Sequence, residues 1–351
     1  MKAMILAGGL STRLYPLTKQ VPKPLVPVGL EPNAVHVMRY LASFGYDEIA
    51  LNAYYHAKAI VDRLGDGSAY GVKLQYLHED ELRGSAGAVK QMENFLSGDD
   101  FVVIGCDDLT DLPLNVLVDF HRKKKALATI GLVPREQVEQ YGAVLTSDDG
   151  RITGFQEKPK PGTERSKAVN TGVYVFTPNI FEHIPPATFI DFGKDVFPAM
   201  QQSNAAFYGY DAGEAYWCDI GTIEEYWRAS IDVLCGRFHI PNAPASGIDE
   251  SAVIAPSAIV QGEVLIGERA VIEENARIIG PAVISQNVHI GAGARVEESI
   301  LWEGARVGEG ARVARTIVGV DYRIAARDVL ESTVVANEEP VEPLIRTPLS
   351  S

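Results

Sequence analysis

Residues 254–296 read IAPSAIVQGEVLIGERAVIEENARIIGPAVISQNVHIGAGARV. Within this run Ile254, Val260, Ile266, Ile272, Ile278, Ile284, Ile290 and Val296 recur at six-residue steps, all of them branched aliphatics. A second column, Ala258, Val264, Ala270, Ala276, Ala282, Val288 and Ala294, follows four positions behind, with Gly or Pro at several turns between. A six-residue period matches neither a helix face nor an alternating strand. It is the period of a β-helix, in which one side of a triangular coil takes about six residues and equivalent side chains stack on successive coils. The spacing slips by one near Trp302, and Val307 and Val313 resume it. Such a prism specifies structure and says little about chemistry. It can carry a site, an oligomer interface or neither; the expected assembly of the chain is a homo-oligomer.

Upstream, IPNAPASG (240–247) has the Pro, Gly and Ser content of a connector. From residue 1 to about 235 the pattern is different. Short β-type runs at 2–7, 47–53, 72–77 and 101–106 alternate with helical patterns near 34–44, 56–64 and 86–95. Further β-type runs follow at 126–133, 141–146, 151–157, 169–177 and 205–210, and a helical pattern at 222–235 closes this half. This alternation predicts an α/β, Rossmann-like domain around a mostly parallel sheet. The expected domains are therefore 1–240 and 248–335, with a loosely ordered tail at 336–351.

The whole chain has 351 residues and a net charge of -14, a field that repels nucleic acid and anionic lipid, so neither is an expected partner. An anionic substrate must then be held by local cations. Three cysteines, at 106, 218 and 235, lack metal-ligand spacing and leave one unpaired in any disulfide scheme, which points to a reducing, cytoplasmic setting. The start MKAMILAGGLSTR shows neither a cleavage-site pattern nor an apolar run of spanning length, so export and membrane insertion are not expected.

Between the first strand and the first helix lies LAGGLSTRLYPLTKQVPKPLVPV (6–28), too long and too Pro-rich for a plain connector. Gly8 and Gly9 directly after a strand let backbone N–H groups approach a phosphate, Ser11 and Thr12 add donors, and Arg13 and Lys23 add cations. The loop is neither G-x-x-x-x-G-K-[ST] nor G-x-G-x-x-G. Asp107 follows the apolar run FVVIGC, and Asp219 follows YWC, so both stand at strand ends, where open α/β sheets hold ligands. The alternative for either is a helix cap. Cys106 and Cys218, each one residue before such an aspartate, are expected to face the core as small hydrophobes.

GGLSTRLYPLT (8–18), PKPLVPV (22–28), LRGSAGA (82–88), CDDLTD (106–111), FQEKP (155–159), NTGVYVF (170–176) and YWCDIGT (216–222) occur in an order and spacing that resemble the sugar-1-phosphate nucleotidyltransferases. The resemblance covers nearly the whole chain and is closest to mannose-1-phosphate guanylyltransferases. It implies a nucleotide-binding α/β domain, often followed by a left-handed parallel β-helix of hexapeptide repeats. It also implies a Mg²⁺-dependent reaction of a nucleoside triphosphate with a sugar 1-phosphate. By that resemblance Leu6, Ala7, Gly8, Gly9, Ser11, Thr12, Arg13, Glu79, Gly84 and Ser85 bind the nucleotide. Tyr141, Gly142, Glu157, Lys158, Asn170 and Thr171 bind the sugar phosphate, and Arg13, Lys23 and Lys158 serve catalysis. Asp107 and Asp219 hold the metal, with Asp108 standing beside Asp107 as the other possible ligand.

Ser11 replaces a common third glycine, and Arg83 a common Leu. Some relatives carry an acyltransferase site on the β-helix, but His289 alone is read as surface decoration. Glu79 and Glu81 stand before Gly84, where relatives read the base, and a carboxylate suits the N1–H and N2–H₂ donors of guanine, which favours GTP. The resemblance to mannose-1-phosphate guanylyltransferases favours mannose 1-phosphate with it. Glucose 1-phosphate or a related sugar phosphate with dTTP, UTP, CTP or ATP is the alternative. A silent regulatory or assembly subunit is the alternative of another class.

Overall fold

The computed structural model describes residues 1–136, 138, 141–156, 159–186, 188–241, 244–338 and 342–348. It divides into two compact units, Met1–Leu10 with Val37–Asp219, and Ser11–His36 with Ile220–Ser351.

The first unit is built on a nine-stranded sheet. Lys2–Leu6 lies at its centre, with Glu48–Ala53 and Phe101–Gly105 parallel on either side and Lys73–His78 parallel beyond Glu48–Ala53. Ala3, Met4, Ile5, Ile49, Ala50, Leu51 and Phe101 through Ile104 are wholly buried, because a strand covered on both faces has no solvent side on which polar residues could alternate. Ala168–Phe176 adds to Phe101–Gly105 in the antiparallel sense and also pairs with Ala128–Pro134, on which Phe207–Asp211 lies parallel. Antiparallel strands Ala143–Thr146 and Ile152–Gln156 complete the sheet. The parallel core is thus extended by an antiparallel flank. The carboxyl ends of the parallel strands point their following residues, Ala7, Glu79 and Cys106, to the same end of the sheet.

In the second unit, three stacks of short parallel strands form the coils expected of a left-handed β-helix. Ile266, Ile272, Ile278, Ile284, Ile290 and Val296 are at most 1 % exposed, and Ala270, Ala276, Ala282, Val288 and Ala294 are wholly buried beside them. The slip near Trp302 is no isolated irregularity. Ile266 pairs with Ile284, eighteen positions on, whereas Ile284 pairs with Leu301 and Leu301 with Val318, each seventeen on. One corner is short by a residue in every later coil. There Glu298, Arg315 and Ser332 take left-handed φ values of 43°, 47° and 48°. The next residues, Ser299 and Thr316, are buried and donate their hydroxyls to the carbonyls of Glu297 and Ala314, so the tighter turn leaves those groups satisfied.

Helix Ile223–Leu234 belongs with the coils, although the composition boundary lies after it. The reason is Tyr226. It is wholly buried, and Trp302 Nε1 donates to its hydroxyl at 2.7 Å with the two rings edge to face. Of the tail 336–351, residues 342–348 form a strand antiparallel to Thr333–Glu338, which covers the edge of the last coil. No helix among the described residues is long and apolar enough to cross a membrane.

His121, on helix Leu114–Lys124, is 1 % exposed, with Nδ1 2.8 Å from Thr129 Oγ1. Burial lowers its pKa to about 4 against the opposing pull of Asp100, with Arg122 adding to the lowering. The folded state therefore keeps a neutral ring where the unfolded chain binds a proton from about pH 6.5 downward. Stability from this site is whole above pH 6.5 and declines as the pH falls toward 4, by on the order of 3 kcal/mol in total. Urea midpoints measured between pH 7 and 4 should show this decline, and His121→Gln should remove that component. An equally steep decline in the variant would assign it elsewhere.

Candidate active site

A pocket of about 270 Å³ lies in the first unit, lined by Leu6, Gly8, Gly9, Asn52, Glu79, Leu82, Gly84, Ser85 and Phe189. Its polar side is built at the ends of three parallel strands. Ala7 N–H donates to Asn52 Oδ1 at 2.8 Å, and Asn52 Nδ2 donates to Glu79 Oε2 at 2.5 Å. Glu79 Oε1 accepts the Arg83 backbone N–H at 3.2 Å. The carboxylate, 8 % exposed, is held by two donors and keeps further lone pairs for a ligand. Glu81 instead is exposed and pairs with Arg83.

Helix Gly84–Gln91 starts at the pocket. Gly84 has a φ of 73°, and a Cβ there would lie 2.4 Å from the Ile190 carbonyl oxygen, so only glycine lets the 188–192 segment pack so closely. That carbonyl accepts the N–H groups of Ala86 and Gly87 at 3.0 and 3.1 Å. Ser85 donates to Asp191 Oδ2 and accepts from Phe192 N–H, both at 2.9 Å. The N–H groups of Ala86 and Gly87 in the first turn of this helix are thus committed to the chain itself.

Beside the pocket, Leu6 pairs with Gly105, and Cys106 N–H donates to the Leu6 carbonyl at 3.0 Å. The chain then enters a two-stranded antiparallel ribbon, Asp108–Thr110 with Trp217–Asp219, in which Asp108 faces Asp219. The two aspartate motifs, more than a hundred residues apart in sequence, thereby become neighbours. Asp108 is 6 % exposed, and both of its oxygens hold protein donors, Gly105 N–H at 3.0 Å and Trp217 Nε1 at 2.9 Å. Asp107 and Asp219 are half-buried. Cys106 and Cys218 are buried at 3 % and 1 % exposure; Cys218 alternates with Asp219 along a strand, whereas Cys106 and Asp107 lie in the turn that precedes Asp108–Thr110. Among the described residues, no group of three or more His, Cys, Asp or Glu side chains forms a metal cage. The register sets Asp219 opposite Asp108, one residue from Asp107, and carboxylate oxygens of this kind are the donors a hard divalent ion takes.

Asn170 folds back at a register shift in Ala168–Phe176, accepting Gly172 N–H at 2.9 Å and donating to Tyr174 Oη at 3.1 Å. Gly172, with φ 77°, leaves space where a Cβ would come within 2.6 Å of Asp108 Oδ2, so this turn rests against the aspartate ribbon. Thr171 is wholly buried and donates its hydroxyl to the Gly131 carbonyl. Tyr141 sets its ring edge on Trp217 at 5.2 Å, and Gly142 N–H donates to the Val138 carbonyl.

Ser11, Thr12, Arg13 and Lys23 fall in the second unit. Ser11 adopts φ 55° and ψ 40°, a left-handed backbone that glycine enters more readily than serine. Arg13 is exposed, while Lys23 is only 9 % exposed at the start of the short helix Lys23–Leu25. Glu157 and Lys158 lie outside the described residues. On the β-helix, His289 Nε2 lies 3.0 Å from Glu273 Oε1, whose other oxygen accepts Ala292 N–H. Asn52, Leu82, Phe189 and Trp217 were not singled out from sequence. Only Asn52 had a signal, as an amide inside the apolar run EIALNA.

The family model described as Nucleotidyl transferase matches residues 2–235, and that described as GMPPB C-terminal domain matches 260–345. The chain is 36 % identical to the UTP–glucose-1-phosphate uridylyltransferase of Synechocystis sp., over 88 % of this chain and 84 % of that one. It is 31 % identical to the mannose-1-phosphate guanylyltransferase of Mycobacterium tuberculosis, over 87 % and 80 %. A putative glucose-1-phosphate thymidylyltransferase from Bacillus anthracis, solved with sucrose, superposes with a TM-score of 0.59 at 27 % identity, covering 66 % of this chain and 94 % of that one.

Proposed function

The chain belongs to the nucleotidyl transferase family and is a sugar-1-phosphate nucleotidyltransferase, and we propose that it joins GTP to mannose 1-phosphate, releasing pyrophosphate and giving GDP-mannose. The observation that carries the guanine assignment is Glu79. Its carboxylate borders a pocket with apolar walls, and Asn52 and the Arg83 N–H hold it in place. A carboxylate accepts side by side from guanine N1–H and N2–H₂, whereas uracil and thymine offer one N–H between two acceptors.

In the reaction a phosphate oxygen of the sugar 1-phosphate attacks the α-phosphorus. The bond from that phosphorus to the β-phosphate oxygen breaks, and its electron pair leaves with pyrophosphate. No enzyme-bound covalent intermediate is needed. The protein's task is to bring two polyanions together and neutralise charge at the leaving group. Backbone N–H groups at Gly8 and Gly9, with Ser11 and Thr12, serve the nucleotide phosphates. Arg13 and Lys23 supply positive charge there, and Lys158 holds the sugar phosphate. Asn170, Glu157, Tyr141 and Gly142 serve the sugar hydroxyls.

The family uses a divalent metal. Asp107 and Asp219 would hold Mg²⁺, which supplies electrostatic stabilisation of the phosphate oxygens when bound. Asp108, whose oxygens are committed to Gly105 and Trp217, serves instead to position the ribbon. We assign the enzyme to the cytoplasm, a reading supported by three described cysteines of which none is in a disulfide, and to a homo-oligomer formed through the β-helix.

The 36 % identity to a uridylyltransferase favours UTP and glucose 1-phosphate as a second reading. Pyrophosphate release measured over GTP, UTP, dTTP, CTP and ATP against mannose and glucose 1-phosphates distinguishes the two. The expected maximum is GTP with mannose 1-phosphate; turnover with no pair would favour a silent subunit. Glu79→Gln should lower kcat/KM for GTP by about 30-fold, since one of two guanine donors then faces an amide N–H₂. Unchanged GTP kinetics in that variant would refute the base assignment.

A further inference from the structure

Phe189 is 60 % exposed, yet the chain on its C-terminal side is held by several hydrogen bonds. Ile190 N–H donates to the Arg83 carbonyl at 2.9 Å, and its own carbonyl takes the N–H groups of Ala86 and Gly87. Asp191 accepts from Ser85, Gly193 and Lys194, and Phe192 stacks on Phe176 at 4.9 Å between ring centroids. The exposure of Phe189 therefore does not come from a slack loop. The backbone is anchored one residue away, and Phe189 lines the pocket together with Leu6, Leu82, Asn52, Glu79 and Ser85.

That pocket has an apolar lining and a hydrogen-bonding rim, the two features a nucleobase presents on its faces and its edge. We infer that Phe189 is the stacking platform for the nucleobase, and that it sets affinity for the nucleoside triphosphate while Glu79 reads its edge. This inference rests on the pocket being the nucleotide site of the proposed reaction. Stacking is tolerant of base identity, since every base has a π-face, and favours the larger purine surface. The ring thus contributes binding to any nucleotide, and the rim discriminates among them.

The test compares wild type with Phe189→Ala, Phe189→Leu and Phe189→Trp. Phe189→Ala is expected to raise KM for GTP by about 10- to 100-fold. KM for the sugar 1-phosphate, and kcat at saturating nucleotide, should stay within about twofold. Phe189→Leu keeps apolar area without a π-face and should recover little, whereas Phe189→Trp should recover wild-type affinity and show indole quenching on GTP addition. The increase should be smaller with UTP than with GTP. Equilibrium binding of GTP and UTP by calorimetry is measured in parallel, because it reports on Phe189 whether or not turnover occurs. Wild type that binds nucleotide but transfers nothing would sink the proposed function and leave the stacking role standing. GTP affinity in Phe189→Ala within twofold of wild type, or full recovery in Phe189→Leu, would overturn the stacking role itself.

Discussion

Asp107→Asn and Asp219→Asn are each expected to lower kcat for pyrophosphate release by about 10³-fold, with the thermal midpoint within a few degrees of wild type. Both carboxylates are half-buried, Asp219 in the ribbon and Asp107 one residue before it, and asparagine keeps the shape of the side chain while removing its charge. Asp108→Asn is the control that separates roles. Its oxygens take the Gly105 and Trp217 N–H groups within a buried site, so its replacement should cost on the order of 1–3 kcal/mol of stability. Its activity loss should be the smaller. Mn²⁺ titration followed by electron paramagnetic resonance should show weakened binding in the Asp107 and Asp219 variants and near-normal binding in the Asp108 variant. The opposite pattern would move the metal ligand by one residue.

Lys23→Met is expected to be nearly as damaging to turnover, by about 10²- to 10³-fold in kcat/KM. Lys23 is 9 % exposed, and removing an ammonium from water is costly. Methionine keeps the length of the stem and gives up the charge, and deleting one member of a buried charged interaction costs about 3–5 kcal/mol of stability, so activity is compared per folded molecule. A lysine kept only for stability would lose activity no further than its folded fraction falls. A lysine kept for its charge beside a reacting phosphate would lose the full factor within the folded fraction. Melting curves and kcat/KM on the same preparation decide between these outcomes, and a variant of normal activity would remove Lys23 from the catalytic set.

The six-residue columns of 254–296 were legible because each position is defined by near neighbours in sequence and stacks on a copy of itself one coil away. The strand and helix order of the first unit was legible for a related reason, since buried runs and amphipathic stretches are local patterns. The recurring short corner was not, because one slip at Trp302 looks the same as a register that changes for good; Ser299 and Thr316 are the residues that mark the difference.

By itself, the sequence determined the class of protein: two kinds of periodicity, an acidic chain needing local cations, and seven motifs in one order. Only the tertiary structure decided which carboxylate of the pair Asp107 and Asp108 is committed to Gly105 and Trp217, and that Asn52 holds Glu79 in place. It alone set an exposed Phe189 at the pocket. Asn52 and Glu79 are 27 positions apart, and Asp108 and Trp217 are 109 apart. Pairs so distant meet only through crossovers of the sheet, and a crossover sets no spacing that a local pattern could reveal.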